Sequence, residues 1–197
     1  LVSIGFSEIA AKYVNMVVLL LGLLVIVFTV DFVIRKMIRN LFTKLATKTK
    51  TNFDNLLIKN KTPRNMAHII PLIIAHQLAP IVFADFTSLD AIIKKGLHLF
   101  AIVLILWVVR SILSTLKDYL KTLASSKDKP VDSYIQVFMI FAWVFGILAA
   151  FAILTGIEFI KFITTIGAAS AVLILVFKDT ILGFVAGIQI AANRMVN

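Results

Sequence analysis

Long runs of apolar side chains restrict the folds open to this 197-residue chain. Hydrophobic residues make up 60% of the sequence and charged residues only 15%, which leaves too much apolar surface for a water-soluble domain. A helix needs roughly 20 apolar residues to cross about 30 Å of hydrocarbon. The sequence therefore predicts an all-α integral membrane protein.

Five stretches approach this length and are predicted to be transmembrane helices. They are Tyr13 to Ile34, Met66 to Phe86, Gly96 to Leu113, Tyr134 to Leu154 and Phe162 to Phe177. The second stretch contains Pro71 and Pro80, whose missing N–H groups predict a kink. The first four helices form a predicted peripheral region, residues 1–158, and residues 159–197 form a second region around the fifth helix.

Charges in the connections orient these helices. The loop over residues 35–64 contains a single acid, Asp54, and many bases. These bases are Arg35, Lys36, Arg39, Lys44, Lys48, Lys50, Lys59, Lys61 and Arg64. Cytoplasmic loops are rich in Lys and Arg, so this loop is expected to be cytoplasmic. We therefore expect a multi-pass protein of the cell inner membrane, with its N-terminus outside and its C-terminus in the cytoplasm.

The same loop also carries a helical pattern. Ile34, Ile38, Leu41 and Leu45 recur at helical spacing with basic residues between them. This predicts a basic amphipathic continuation of the first helix. Two interpretations stay open, because such a helix can lie at the membrane surface or can be a solvated helix that packs on its neighbour.

Nothing in the sequence is typical of catalysis. The chain has no cysteine, and His68, His76 and His98 do not converge in sequence on a carboxylate. We expect no enzyme activity, no metal site and no cofactor. The net charge of +10 is concentrated in loops that flank membrane helices, so we expect these bases to contact lipid headgroups and no nucleic acid.

Two polar positions within the predicted helices have structural interpretations. Asp31 lies one turn before Arg35, which favours an anchoring ion pair over an ion-coupling site. His76 and Gln77 are adjacent in the second stretch, and we interpret them as sources of a helix-to-helix hydrogen bond rather than a ligand site.

The last third of the chain has a different pattern. Five small residues, Gly167, Ala168, Ala169, Ser170 and Ala171, precede the charged pair Lys178 and Asp179, and Gly183, Gly187 and Ala191 recur every four residues beyond it. Small residues let helix backbones approach closely. The pattern predicts a helix, a kink near residues 178–179, and an amphipathic helix over residues 180–193 that Asp179 or Thr180 would cap.

The string GAASAVLILVFKDTILGFVAGIQIAANRM, residues 167–195, resembles the pore helix of the mechanosensitive channel of small conductance (MscS) family. The chain is most similar to the YbdG-type branch of that family, which has five membrane helices. In the family several copies, usually seven, place this helix around a central pore that opens under membrane tension. The resemblance implies a homo-oligomeric ring, expected to be a heptamer, that passes ions and small solutes during osmotic downshock.

The resemblance also implies roles for single residues. It places Ala168, Ala171, Val172 and Leu175 along the pore, with Leu175 at the main constriction, and the hinge at Lys178 and Asp179, where many relatives have glycine. Gly167, Ser170, Gly183 and Gly187 are expected to pack the helices of neighbouring subunits together. Ser170 and Ile174 stand where the small-conductance members have glycine, which is a departure from the family pattern. The cytoplasmic β-domain that follows this helix in the family is expected to be absent from this chain.

Two other functions remain open on the sequence alone. A secondary transporter usually carries ionisable residues near the bilayer midplane, and this chain has few there. A non-conducting membrane scaffold could oligomerise through the same small residues.

Overall fold

The computed structural model describes residues 8–48, 52–123 and 130–192, which are helical apart from short connections and contain no strand. The helices are α1 (Glu8–Lys48), α2 (Phe53–Lys59), α3 (Thr62–Ala67), α4 (Ile69–Val82), α5 (Thr87–Thr122), α6 (Val131–Thr155) and α7 (Phe159–Ala192). Within the described residues, five helical stretches are long and apolar enough to cross a membrane, with α3 and α4 together forming one of them. The protein is therefore an all-α, membrane-embedded protein.

The chain divides into two compact units, which meet in sequence at Leu154 and Thr155. The first unit contains α1 to α5 and all of α6 except its last residue, and the second contains α7. Gly156 follows the end of α6 with a φ of +76°. This left-handed conformation is the one that glycine adopts most readily after a helix, so Gly156 marks the end of α6.

Helix α1 is much longer than the apolar stretch that predicts it. It runs for 41 residues and continues through Arg35 and Arg39 to Lys48 without a break. The helical continuation predicted from the Ile34, Ile38 and Leu41 pattern is confirmed. Much of the predicted loop 35–64 is therefore helical, because α2 and α3 follow α1 after residue 52.

The second predicted helix has different bounds in the structure. It begins at Thr62, is divided at His68 between α3 and α4, and ends at Val82 rather than Phe86. Pro71 is the third residue of α4 and lies in its first turn, where its missing N–H group would have no intrahelical partner, and a kink there stays a prediction. Pro80 lies inside α4, and a kink there stays a prediction.

The core of the first unit forms around the end of α4. Ala79, Val82 and Phe83 are buried. They pack against partly buried side chains of α1 and α5, namely Met16, Leu19, Leu20, Leu23 and Leu97. This packing fixes α4 against α1 and α5.

Candidate functional site

Helix α7 is one continuous α-helix of 34 residues, which corresponds to about 51 Å. Lys178, Asp179 and Thr180 lie inside it, so the expected separate amphipathic helix over residues 180–193 is not a distinct element, and residue 193 lies outside the described residues. Neither Asp179 nor Thr180 caps a helix, because the backbone N–H groups that follow them bond within α7. A bend within this continuous helix stays a prediction.

The four predicted pore-lining residues share one face of α7. Ala168, Ala171, Val172 and Leu175 are separated by three, one and three positions, so they align along the helix. All four are exposed, and the exposed fractions of Val172 and Leu175 are 60% and 72%. Every described residue from 164 to 190 is exposed as well. A largely apolar helix surface is thus available to lipid or to another chain.

The glycines of α7 are not required by packing within the described chain. A Cβ atom added to Gly167, Gly183 or Gly187 would meet no atom within 4 Å. Glycine inside a helix is destabilising by about 0.8 to 1.0 kcal/mol relative to alanine. These three positions therefore weaken α7 without a compensating contact inside the described chain.

Three hydroxyl groups in the first half of α7 are satisfied within the helix. The Oγ atom of Ser170 donates to the carbonyl of Ile166 at 2.8 Å, and Thr164 and Thr165 make the same type of bond. A hydroxyl that donates to the carbonyl four residues earlier uses its donor within its own helix. Ser170 can therefore lie on a close-packed face as alanine would.

The predicted hinge pair is the only charged pair in the middle of α7. Among the described residues, Lys178 and Asp179 form no ion pair. They are adjacent, so their side chains leave the helix about 100° apart. By contrast, Lys161 pairs with Glu158 at 3.1 Å near the start of the helix.

A second polar cluster lies in the first unit, where α1 passes the junction of α3 and α4. Asp31 is 8% exposed, and its carboxylate forms an ion pair with Arg35 and accepts a hydrogen bond from Nδ1 of His68 at 2.7 Å. The ion pair of Asp31 with Arg35 is confirmed. No carboxylate is near His68 in sequence, yet in the fold His68 contacts Asp31 across 37 positions.

The two remaining histidines contact each other. The Nε2 atoms of His76 on α4 and His98 on α5 are 3.1 Å apart, and the ring centroids are 4.8 Å apart. One ring donates and the other accepts, which confirms a helix-to-helix hydrogen bond at His76. Within the residues that the structure describes, no group of three or more potential metal ligands forms.

Polar side chains also join α2 and α3 to α5. Asn60 donates to Asp118 at 3.2 Å, and Asn65 donates to the carbonyl of Trp107 at 3.3 Å. The buried hydroxyls of Thr62 and Thr115 are 3.5 Å apart. These contacts link residues more than 40 positions apart, so no local sequence pattern indicates them.

The Asp31→Ala variant should lower the stability of the first unit by about 2 kcal/mol, because Arg35 and His68 would both lose a charged acceptor in a half-buried site. Thermal unfolding of detergent-solubilised protein, followed by circular dichroism, measures this change. Glu8→Ala is the matched control, since it breaks an exposed pair of the same spacing with Lys12 on the same helix. Equal losses in the two variants would contradict the assignment.

The chain matches no protein-family model, and no solved structure matches it. Its function must therefore be inferred from the residues and contacts described above.

Proposed function

We propose that this protein is the subunit of a mechanosensitive ion channel. Identical subunits form a ring, expected to be a heptamer, and each contributes α7 to a central pore that opens under membrane tension. The observation that carries the proposal is the exposed, mostly apolar face of α7, with Ala168, Ala171, Val172 and Leu175 along it. The resemblance of residues 167–195 to the MscS pore helix supports the same role.

Glycines in α7 favour another α7 as the partner over lipid alone. Lipid chains adapt to bulky side chains, so a lipid-facing helix gains nothing from glycine. Close approach of two helix backbones does require small residues, and Gly167, Ser170, Gly183 and Gly187 recur along α7. A head-to-tail contact between identical subunits generates a ring when its rotation closes.

Leu175 supplies the gate in this proposal. A ring of leucine side chains narrows a pore until water is unstable inside it, and ions cannot then pass. The smaller residues Ala171 and Ala168 lie one and two turns away, respectively, on the same face and leave a wider passage. The constriction therefore falls at Leu175.

Tension opens the ring through a difference in membrane area. If the open ring occupies more area than the closed ring, tension lowers the free energy of the open state by tension multiplied by that difference. The pore passes ions and small solutes and so relieves osmotic downshock. In the proposed orientation the basic end of α1 faces the cytoplasm across the inner membrane.

Single-channel recording under suction tests this function. The protein is reconstituted into liposomes, and excised patches are recorded while suction increases. We expect stepwise currents whose open probability rises with suction and that are missing from protein-free patches. A silent patch up to the tension that ruptures the membrane would contradict the proposal and would favour a non-conducting scaffold.

A secondary transporter is the alternative that specific observations favour. Asp31 with His68, and His76 with His98, place ionisable groups within apolar helices, where such groups often form proton pathways. A transporter would move solute in unstretched proteoliposomes under a pH gradient and would give no stepwise current. The two assays therefore separate the alternatives.

The pair at the predicted hinge should act as a coupled unit in gating. Within the described chain Lys178 and Asp179 have no ion-pair partner, and in a ring each can meet the opposite charge of a neighbouring subunit. We expect Lys178→Gln and Asp179→Asn each to shift the tension threshold. The double variant should lie closer to the parent than the sum of the two shifts. Simple additivity in patch recordings would show that the two charges act independently.

A further inference from the structure

A cleft of about 800 Å³ lies in the first unit, between the charged end of α1 and the α2–α3 pair. Five cationic side chains line it, namely Arg35, Lys36, Arg39, Lys61 and Arg64. Among the residues that the structure describes, no acidic side chain lines it. A volume of this size is within the range of small-molecule sites in proteins.

Most of the positive charge in this cationic cleft is uncompensated. Arg35 shares the carboxylate of Asp31. Among the described residues, Lys36, Arg39, Lys61 and Arg64 form no ion pair. Cationic side chains that converge on one space repel each other, so an anion that enters the space is favoured.

The backbone at Lys61 positions one of the cations of the cleft. Lys61 is the only described residue other than glycine with a positive φ, at 60°, and it joins α2 to α3. Glycine adopts this left-handed conformation readily, whereas a side chain with a Cβ atom is disfavoured there. The N–H group of Lys61 donates to the carbonyl of Ile58, so the left-handed turn ends α2 and places the Lys61 side chain on the wall of the cleft.

Apolar residues on the same wall indicate what kind of anion binds. Phe32 lies one turn before Lys36 on α1, is 65% exposed, and belongs to the apolar part of that helix. Ile58 and Pro63 line the cleft as well. The cleft therefore lies where the apolar surface of α1 gives way to its charged end, and a ligand that fits both surfaces has an anionic head and apolar chains.

We propose that the cationic cleft binds the headgroup of an anionic phospholipid with two phosphates, while the acyl chains follow α1 past Phe32. Guanidinium groups bind phosphate oxygens through two parallel hydrogen bonds, and Arg39 and Arg64 reach the cleft from different helices, so each can hold one phosphate. Basic pockets beside membrane helices are suited to such headgroups. This binding does not depend on channel activity, and it can be measured without recording currents.

Native mass spectrometry of the detergent-solubilised full chain tests the proposal. The protein is titrated with tetraoleoyl cardiolipin, which has two phosphates, with dioleoyl phosphatidylglycerol, which has one, and with zwitterionic dioleoyl phosphatidylcholine. We expect affinity to fall in that order. Cardiolipin that binds no more tightly than phosphatidylcholine would overturn the proposal.

Paired variants locate the site. Arg39→Gln with Arg64→Gln should weaken cardiolipin binding about 10-fold to 30-fold. Lys44→Gln with Lys121→Gln removes the same charge from outside the cleft and should change binding by less than about 3-fold. Equal losses in the two double variants would overturn the proposal, because diffuse attraction to the whole basic surface would then explain the binding.

Two further measurements test whether the variants fold and whether the bound phosphate belongs to a lipid. Arg39→Lys with Arg64→Lys keeps the charge and should bind with intermediate affinity, while circular dichroism checks that every variant keeps its helices. Sodium pyrophosphate, a soluble anion with two phosphates, should fail to displace bound cardiolipin at equal concentration. Full displacement would identify a site for free phosphates and would overturn the lipid assignment.

Discussion

Replacing Leu175 with serine should let the proposed channel open at a clearly lower membrane tension. Leu175 is 72% exposed, so the change leaves the fold of the single chain intact. In the closed ring, however, leucine side chains would meet at the constriction and exclude water. Each leucine lost from that apolar contact removes about 2 kcal/mol of stabilisation from the closed state, and the effect is repeated in every subunit.

Patch recordings measure the tension threshold of Leu175→Ser relative to the parent, and slowed growth of cells that express it would accompany the change. Leu173→Ser is the matched control. Leu173 is also exposed, but two residues of separation place it about 200° around the helix, away from the pore face. An unchanged threshold for Leu175→Ser in an assembled ring, or an equal shift for Leu173→Ser, would remove Leu175 from the gate.

Gly187→Leu should prevent assembly of the ring or change its conductance strongly. Within the described chain a Cβ atom at Gly187 would meet nothing within 4 Å, so the larger side chain does not disturb the chain's own packing. Leucine also favours a helix by nearly 1 kcal/mol relative to glycine. A loss of assembly would therefore come from contact between subunits and not from damage to α7.

Native mass spectrometry gives the copy number for Gly187→Leu, and recordings give its conductance. Gly22→Leu is the control, because Gly22 lies in an apolar helix of the first unit and likewise has no atom within 4 Å of a Cβ position. We expect this control to assemble normally. A Gly187→Leu ring with the parent's copy number and conductance would contradict close packing at α7.

Hydropathy predicts where the apolar helices lie but not where they end. The stretch from Gly96 to Leu113 predicts α5, which in the structure runs from Thr87 to Thr122. Charged residues lower the hydropathy beyond the apolar part, yet the helix continues because pairs such as Lys94 with Asp90, at 2.7 Å, stabilise its first turns. In α1, the ion pair of Asp31 with Arg35 spans the end of the apolar stretch, and the helix also contacts α2 and α3.

The division at His68 could not be predicted from local pattern. Proline is the usual sign of a helix break, and in this stretch the prolines are Pro71 and Pro80. The break occurs three residues before Pro71, where the His68 side chain contacts Asp31 on α1. A contact across 37 positions of sequence leaves no periodic signal.

The two candidate sites differ in how far the sequence reveals them. Helical spacing alone places Ala168, Ala171, Val172 and Leu175 on one face, and the structure agrees. The cationic cleft requires α1, the turn at Lys61 and α3 to converge. A run of bases in sequence shows their number but not that convergence, since the α2–α3 pair could pack on either side of α1.

The unbroken length of α1 makes it a lever. Its 41 residues correspond to about 62 Å, and the part beyond Ile34 projects about 21 Å past the end of the apolar stretch. If the membrane part tilts by about 10°, the far end swings by about 4 Å around a pivot near Ile34. Helices α2 and α3 pack against this arm and would be carried with it. Membrane thinning, which changes helix tilt, would thereby become a displacement at Lys48.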